Sequence, residues 1–365
     1  MAAPLLHHRS KQFQLQLART RNQLQQIFQT AEPVLILTSS GTGAMEAAIA
    51  SLAGEHEKTL AVVAGKFGER WQQLCLRHEV ECAALRREHG QAATPAEVAK
   101  AAVNEQATMV LLQGCETSTA TSFDIEGIAR ELRRKCPAAL IVVDAITALA
   151  AQPFEMDAWG LDVVISGGQK GFAAPPGLAF VALSQRAQDR LEKTRSRSYY
   201  LDLKRELAGQ PDGRTAYTPA VTLVAAVDAA TRAILNEGLE HVIAEAALMA
   251  HATRAALSSL GFELLSDRPS NAVTAAFPPP GVDAEQLRKS LDDSLGLKVA
   301  GGQGPLKGRI IRIAHLGYFD ALDVMTVIGA IELTLAELGH TTHQGQGVVA
   351  ALARLQGREN TCAAS

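Results

Sequence analysis

The stretch of sequence that decides the fold is DAITALAAQPFEMDAWGLDVVISGGQKGFAAPP, which occupies residues 144–176. Its first residue, Asp144, ends the apolar run IVVD, and Lys170 comes shortly after a second apolar run, VVIS. About one crossover's length of chain separates the two runs, as between neighbouring parallel strands. Because ligands bind beyond the carboxyl ends of the strands in an open α/β sheet, we expect Asp144 and Lys170 to share a ligand site there.

Apolar runs alternate with helical patterns on both sides of this stretch, as far as about residue 185. The alternation predicts an α/β fold, a sheet with helices on both faces. We interpret residues 1–30 as an N-terminal segment and residues 31–260 as a large domain with connecting helices. Residues 261–340 have the pattern of a small C-terminal α+β domain. Residues 341–365 are largely polar, with a short apolar turn, and we expect this tail to be poorly ordered.

The segment SSGTGAMEAA, residues 39–48, turns an apolar strand sharply into a helix. Its glycines let backbone N–H groups approach an anion, Ser40 and Thr42 add hydroxyl donors, and the helix N-terminus adds a partial positive charge. Turns of this kind are also common without an anion. An acid, an amine and an anion site at one sheet edge suggest a pyridoxal phosphate enzyme, in which the lysine bonds the cofactor and the acid pairs with the ring nitrogen.

Composition argues against several other classes of protein. The net charge of −3 over 365 residues provides no basic excess for a nucleic-acid partner. No apolar run approaches the roughly 20 residues of a membrane-spanning helix, and the N-terminus has no signal-peptide core. The five cysteines are odd in number and form no C-x-x-C pair, so we expect reduced thiols, a cytoplasmic location and no metal site.

Arg312 lies in the apolar run IIRIAH, which is predicted to be a strand. An arginine in a strand is usually on a solvated face or in a structural ion pair. Its planar guanidinium is also suited to clamp a substrate carboxylate through two hydrogen bonds. The residues alone leave these interpretations open.

Six segments, in this order and at these intervals, resemble the class V aminotransferases: SSGTGAMEAA, GKFGER, CETSTA, VVDAITAL, SGGQKGFAAPPG and IIRIAHLG. The resemblance runs from about residue 7 to about residue 338 and is strongest to the alanine–glyoxylate and serine–glyoxylate (or serine–pyruvate) branch. It implies fold type I of the pyridoxal phosphate enzymes, with a large, mostly parallel sheet domain and a small C-terminal domain. It also implies a homodimer with its sites at the subunit interface.

The resemblance implies a role for particular residues. Lys170 matches the family's Schiff-base lysine, Asp144 the acid at the pyridine nitrogen, and Arg312 the arginine that binds the substrate carboxylate. Ile146 and Phe67 match the residues on the two faces of the ring. The other implied cofactor contacts, mostly to its phosphate, are Thr117, Ser40, Gly41, Thr42, Gln169, Thr215 and Thr218.

Two of these positions need comment. Thr215 and Thr218 fall where the family reaches into the neighbouring subunit's phosphate site, and Tyr217 is an alternative there. Phe67 stands where some relatives carry Trp or Tyr, so stacking is kept but a hydrogen bond from the ring edge is lost. The family also begins with a PGP-like arm before the HHRS segment, near which this sequence starts. We expect either an upstream start or a more open entry to the site.

The implied activity is transfer of an amino group from a small L-amino acid, alanine or serine, to glyoxylate or pyruvate by a ping-pong mechanism. Aminoethylphosphonate or ureidoglycine are alternative donors, although Arg312 favours an α-carboxylate. Cysteine desulfurases and selenocysteine lyases typically carry His before the lysine, where this sequence has Gln169. A non-catalytic accessory subunit is disfavoured because the lysine and acid are intact and the sequence has no cluster-ligating cysteine pattern.

Overall fold

The computed structural model describes residues 4–55, 57–340 and 343–356. The strands are, in chain order, β1 (Val34–Leu37), β2 (Lys58–Val63), β3 (Glu81–Arg86), β4 (Met109–Gln113), β5 (Cys115–Glu116), β6 (Thr121–Ser122), β7 (Leu140–Asp144), β8 (Val163–Gly167), β9 (Ala179–Leu183), β10 (Glu263–Leu264), β11 (Val273–Phe277), β12 (Ala300–Gly301) and β13 (Ile311–Ala314). The helices are α1 (Lys11–Phe28), α2 (Gly41–Leu52), α3 (Lys66–Arg77), α4 (Pro95–Asn104), α5 (Ile125–Lys135), α6 (Gln185–Lys193), α7 (Leu203–Gly209), α8 (Val221–Glu237), α9 (Leu239–Ser259), α10 (Ala284–Leu295), α11 (Ala321–Glu337) and α12 (Gln346–Leu355).

The large sheet has seven strands in the order β1-β9-β8-β7-β4-β2-β3. Strands β3, β2, β4, β7 and β8 pair in parallel, whereas β9 runs antiparallel to both β8 and β1. Strand β1 therefore points in the same direction as the parallel group. The predicted α/β fold is confirmed, and its parallel strands end at a common edge.

Both faces of this sheet are covered. Within β7, Ile141 and Val143 join a buried cluster with helices α1, α4, α5 and α8, and Leu140 and Val142 join the opposite cluster with α2, α3 and α6. This division follows from the alternation of side chains along a strand. A strand buried on both faces is apolar on both faces, as the IVV residues before Asp144 indicated.

The helix ends follow local sequence signals. Ser10 accepts a hydrogen bond from the backbone N–H of Phe13 and begins α1. Thr94 and Glu97 form a reciprocal capping box at the start of α4. Each cap satisfies backbone donors that have no partner inside the helix.

A second sheet, of four antiparallel strands in the order β10-β11-β13-β12, lies toward the C-terminus. Its core includes residues of α10, α11 and the second half of α9, from Met249 onward. The domain boundary that we expect at residues 260–261 stays a prediction. Within the described residues, no helix is both long and apolar enough to cross a membrane.

The expectation of a poorly ordered tail is wrong for residues 346–355. This segment forms helix α12, in which Gly347, Ala351 and Leu355 are buried, and the backbone N–H of Gly347 donates to Glu332 on α11 at 2.8 Å. The expectation rested on polar composition, whereas these buried residues recur every four positions, as one face of a helix requires. The remaining tail residues 341–342 and 357–365 lie outside the described part, and with them the fifth cysteine.

Candidate active site

The predicted site residues follow the strands that end at the common edge of the large sheet. The turn at Ser40 follows β1, and Phe67 follows β2. Asp144 is the last residue of β7, and Gln169 and Lys170 follow β8. Thr117 follows the short strand β5, which comes directly after β4 along the chain. The topology thus gathers residues that are up to 130 positions apart along the chain, from 40 to 170.

Lys170 is half-buried, and its amine forms no hydrogen bond or ion pair with any residue that the structure describes. Burial lowers the pKa of Lys170, and the positive charge of Arg312 lowers it further, against the opposing effects of Cys115 and Asp144. The loop that carries Lys170 is tied down, since the Gly168 N–H donates to the Leu178 carbonyl at 3.0 Å. An unpaired, partly desolvated amine on a fixed loop is suited to react as a nucleophile.

Asp144 is 4% exposed, and one carboxylate oxygen accepts a hydrogen bond from the Ile146 N–H at 2.9 Å. Burial raises the pKa of Asp144 to about 7; Glu116 adds to this rise, whereas the Ile146 N–H, Arg70 and Lys170 oppose it. A buried carboxylate with one hydrogen bond still lacks a cationic partner. A protonated ring nitrogen would be such a partner.

The start of α2 has the features of an anion site. Its first turn, GTGA, contains only neutral residues. In the part of the chain that the structure describes, the Ser40 hydroxyl caps no backbone N–H of this helix. A Cβ added to Gly41 would lie 2.2 Å from Ile146 Cδ1, so a side chain there would collide with the residue expected under the ring. The α2 N-terminus and the expected ring site are therefore adjacent.

Gln169 supplies a further polar atom. Its Oε1 atom is buried and has no hydrogen-bond partner among the described residues. A buried polar atom without a partner is costly unless a bound molecule satisfies it. Together with the unpaired Lys170 amine and the buried Asp144 carboxylate, it shows that the residues present fit pyridoxal phosphate.

Phe67 lies in the first turn of α3 and is held there by a buried acid. The Glu116 carboxylate, which is 0% exposed, accepts hydrogen bonds from the N–H groups of Phe67 at 3.1 Å and Gly68 at 2.9 Å. Ser118 completes the contact through its hydroxyl. A Cβ added to Gly65 would lie 2.7 Å from the Glu116 carboxyl carbon, so only glycine permits this approach.

Thr117 and Arg312 connect the loop after β5 to the second sheet. The Thr117 hydroxyl donates to the Thr147 hydroxyl at 2.7 Å, and its carbonyl accepts from Arg312 Nη1 at 2.8 Å. Arg312 Nε donates to the Gly301 carbonyl at 2.9 Å. Arg312 forms no ion pair with any described residue. A structural ion pair, one of the two usual roles of an arginine in a strand, therefore does not explain its presence in β13. Its remaining donors are available for a ligand.

The single chain does not bring Thr215 and Thr218 into this site through any hydrogen bond between described residues. The Thr215 hydroxyl donates to the Tyr217 carbonyl, and Thr218 is exposed. Their expected contact with a neighbouring subunit's phosphate stays a prediction. As to metals, no group of three or more His, Cys, Asp or Glu side chains in the described residues could hold an ion.

Sequence reasoning did not single out Glu116, Thr147 or Arg70. Each lies inside a segment that carried the family resemblance: CETSTA, VVDAITAL and GKFGER respectively. Arg70 Nη1 donates to the Thr42 hydroxyl at 3.0 Å, on the expected phosphate turn. A charged residue inside a motif whose neighbours already have roles is the signal that could have identified Glu116 and Arg70.

The chain is similar to known proteins over nearly its whole length. Residues 2–309 match the family model described as aminotransferase class-V. The soluble hydrogenase small subunit of a Synechococcus strain is 37% identical over 350 residues, 94% of this chain and 91% of that protein. The L-aspartate–glyoxylate aminotransferase of Paracoccus denitrificans is 32% identical over 356 residues, 95% of this chain and 90% of that protein. The crystal structure of a Thermus thermophilus aspartate aminotransferase of subgroup IV is similar, with a TM-score of 0.86 and 37% identity, over 92% of this chain and 94% of that one.

Proposed function

The chain belongs to the class V aminotransferase family, and from this premise we propose that it transfers the amino group of a small L-amino acid, alanine or serine, to glyoxylate or pyruvate. It is an enzyme that uses pyridoxal 5′-phosphate. The observation that carries the proposal is the unpaired, partly buried amine of Lys170, whose pKa responds to both Asp144 and Arg312. The overall reaction is two half-reactions in sequence, a ping-pong mechanism.

Pyridoxal phosphate, when bound, supplies a carbonyl group for amino exchange and a ring that withdraws electrons from the reacting carbon. Lys170 would hold this group until the substrate amine takes its place, and the freed Lys170 amine would then act as the base that removes the proton from the α-carbon of the amino acid. Because burial lowers the pKa of Lys170, more of its amine is unprotonated near neutral pH than for a lysine in water. The ionised Asp144 carboxylate would stabilise a proton on the ring nitrogen.

Arg312 binds the α-carboxylate of both substrates. Its Nη1 and Nε donors are held by backbone carbonyls, which fix the plane of the guanidinium and leave other N–H groups for the substrate. This arrangement supports an α-amino acid as donor over aminoethylphosphonate. It discriminates less well against ureidoglycine, which remains an alternative within the class.

L-Aspartate is a second candidate donor. It is favoured by the name of the Paracoccus relative, L-aspartate–glyoxylate aminotransferase, and by that of the similar Thermus structure, an aspartate aminotransferase. The Paracoccus name also supports glyoxylate as the acceptor. The donor therefore has to be decided by direct comparison of the three amino acids.

We also propose a homodimer in which Thr215 and Thr218 complete the partner's phosphate site. Three tyrosines near these residues support an interface. Tyr199 and Tyr200 are 72% and 50% exposed, and the Tyr200 ring stacks on Tyr217 with centroids 4.9 Å apart. Aromatic rings that are exposed in one chain are characteristic of protein interfaces.

An accessory subunit is the proposal from a different class, and the name of the Synechococcus relative favours it. A subunit without catalysis would have no need of a reactive lysine, a buried acid beside it and an arginine with free donors. The arrangement of Lys170, Asp144 and Arg312 supports catalysis instead.

The decisive experiment follows the visible absorption of the bound cofactor. We expect the purified protein to show an absorption band that disappears when alanine or serine is added alone, and returns when glyoxylate or pyruvate follows. Aspartate is tested in parallel. Lys170→Ala should keep bound cofactor but lose turnover, because the base is gone.

A protein that takes up no pyridoxal phosphate would contradict the central claim and favour the accessory subunit. If the band changes only with aspartate, aspartate is the donor and alanine and serine are not. If it changes with none of the three amino acids, all three are excluded as donors. Turnover by Lys170→Ala at the wild-type rate would show that Lys170 is not the base.

A further inference from the structure

We propose that Arg70 provides the positive charge that balances the phosphate group of the cofactor. This inference rests on the proposed site and assigns to it a residue that neither the family resemblance nor the sequence patterns had singled out. Arg70 lies one turn into α3, the helix that follows β2 and carries Phe67 in its first turn.

Two contacts place the Arg70 guanidinium. Its Nη1 donates to the Thr42 hydroxyl at 3.0 Å, and its central carbon lies 4.8 Å from the centroid of the Phe67 ring. Thr42 belongs to the expected phosphate turn, and Phe67 is expected to cover the cofactor ring. The guanidinium therefore spans the two parts of the site that meet the phosphate and the ring.

Arg70 has no direct ion-pair partner among the described residues, although its charge attracts the Asp144 carboxylate from a greater distance. In the part of the chain that the structure describes, no carboxylate lies within ion-pair distance of it. The nearest acid along the helix, Glu69, pairs with Lys66 at 3.4 Å. Glu116, the buried acid at the same helix end, accepts from the backbone N–H groups of Phe67 and Gly68. A half-buried cation without a directly paired anion is unfavourable unless a ligand supplies one.

The expected phosphate ligands lack this charge. All are neutral: Ser40, Gly41, Thr42, Gln169, Thr215 and Thr218. The phosphate carries a charge of about −1.5 to −2 near neutral pH, and the α2 N-terminus offers roughly half a positive charge. Lys170 is committed to the carbonyl end of the cofactor, and Arg312 is held by carbonyls of Thr117 and Gly301. Among the described residues, Arg70 is the cation whose side chain hydrogen-bonds to the phosphate turn.

A purely structural role makes a different prediction. If Arg70 only stacks on Phe67 and steadies Thr42, its loss should weaken every ligand that occupies the site by the same factor. If it balances the phosphate, its loss should weaken only ligands that carry a phosphate. Pyridoxal, which lacks the phosphate but keeps the ring and the carbonyl, separates the two.

The experiment measures the Kd of pyridoxal 5′-phosphate and of pyridoxal for the cofactor-free protein and its variants. Arg70→Gln should weaken binding of the phosphate ester about ten- to hundredfold, the loss of a charge-assisted contact, and that of pyridoxal less than about twofold. Arg70→Lys should recover part of the affinity, because it restores charge without the planar fork. Arg77→Gln, at the exposed far end of the same helix, is the matched control and should change neither Kd.

A ³¹P NMR titration of the bound ester gives a second readout. The phosphate of the Arg70→Gln complex should take up its proton at higher pH than that of the wild type, since a nearby cation favours the dianion. Equal weakening of both ligands, or no weakening of either, would overturn the inference. If instead the wild-type protein bound no pyridoxal phosphate, the proposed function would fail first.

Discussion

At the scale of single residues, the state of Asp144 explains how the site is prepared for a cation. It is 4% exposed, and burial raises its pKa to about 7. One backbone hydrogen bond, from Ile146, does not replace the water that the carboxylate loses on folding. The cofactor-free chain therefore holds a carboxylate in an unfavourable position, as functional sites often do.

This position has a consequence for stability. Between its ordinary pKa of 3.8 and about 7, Asp144 binds more protons in the folded chain than in the unfolded one, so the free energy of unfolding falls as pH rises through this window. A shift of about three units corresponds to about 4 kcal/mol. We predict that Asp144→Asn makes the cofactor-free protein's stability less dependent on pH. Urea unfolding at several pH values from about 5 to about 8 measures the effect.

The comparison must be made against the wild type at each pH. Burial also raises the pKa of Glu206, which adds a slope of the same sign to both proteins. The difference between wild type and Asp144→Asn isolates Asp144. Identical slopes would mean that Asp144 is well hydrated or already paired in the cofactor-free protein. Added pyridoxal phosphate should reduce the difference between the two slopes, because the ring nitrogen then pairs with the Asp144 carboxylate.

At the scale of elements, the sequence was most informative where a segment is buried on both faces. Strands β4, β7, β8 and β9 are buried throughout and, apart from Gln113, Asp144 and Ser166, consist of apolar residues and glycine. Their apolar runs were recognised because no exposed face interrupts the pattern. The two-residue strands β5 and β6 were not predicted. The two strands pair through only two residues each, which is too few for an alternation of apolar and polar residues to be visible in the sequence. This hairpin depends on tertiary contacts instead.

Helix α12 was missed for another reason. Its contact face consists of Gly347, Ala351 and Leu355, of which only Leu355 is large. Small residues let α12 approach α9 and α11 closely, and a Cβ added to Gly347 would lie 2.8 Å from Leu260 Cδ1 and 3.0 Å from Ile328 Cγ2. Large apolar residues are what mark a buried helix face in a sequence. They were therefore a poor guide to α12, which packs closely through small residues.

This close approach can be tested by substitution. Gly347→Val should lower the free energy of unfolding by about 1–3 kcal/mol, because its side chain forces Leu260 or Ile328 out of its packed position. The cofactor absorption band should stay unchanged, since these contacts lie in the core of the second sheet. Chemical denaturation of the cofactor-loaded protein measures the loss.

Val349→Ala provides the matched control on the same helix, because Val349 is 65% exposed. It should change the free energy of unfolding by less than about 0.5 kcal/mol. If Gly347→Val were equally harmless, α12 would not be packed against Leu260 and Ile328 as the structure has it.

At the scale of the whole molecule, sequence reasoning identified the residues at the sheet edge but not how they are held. Asp144 and Lys170 could be placed because Asp144 ends one predicted strand and Lys170 follows another, and strand ends of a parallel sheet meet at one edge. Glu116 and Arg70 could not, because their roles depend on contacts across the fold to Gly68 and Thr42. One chain also leaves Thr218 exposed, so its proposed role requires a second copy.

A mixing experiment tests that role. Lys170→Ala removes the base from its own site, and Thr218→Glu places a negative charge at the proposed phosphate site of the partner. Each variant alone should be nearly inactive. In a hybrid dimer, one site carries both changes and the other carries neither. Because random exchange makes half of the dimers hybrid, with one complete site in two, the mixture should regain about a quarter of the wild-type activity.

Subunit exchange has to be verified in the same samples, for example by native mass spectrometry of the mixed dimers. Hybrid dimers without regained activity would show that Thr218 serves its own chain's site or none. Wild-type turnover by Thr218→Glu alone would exclude contact with the phosphate. Recovered activity would mean that each site is built from two chains, since a lysine from one and a threonine from the other would then be sufficient to complete it.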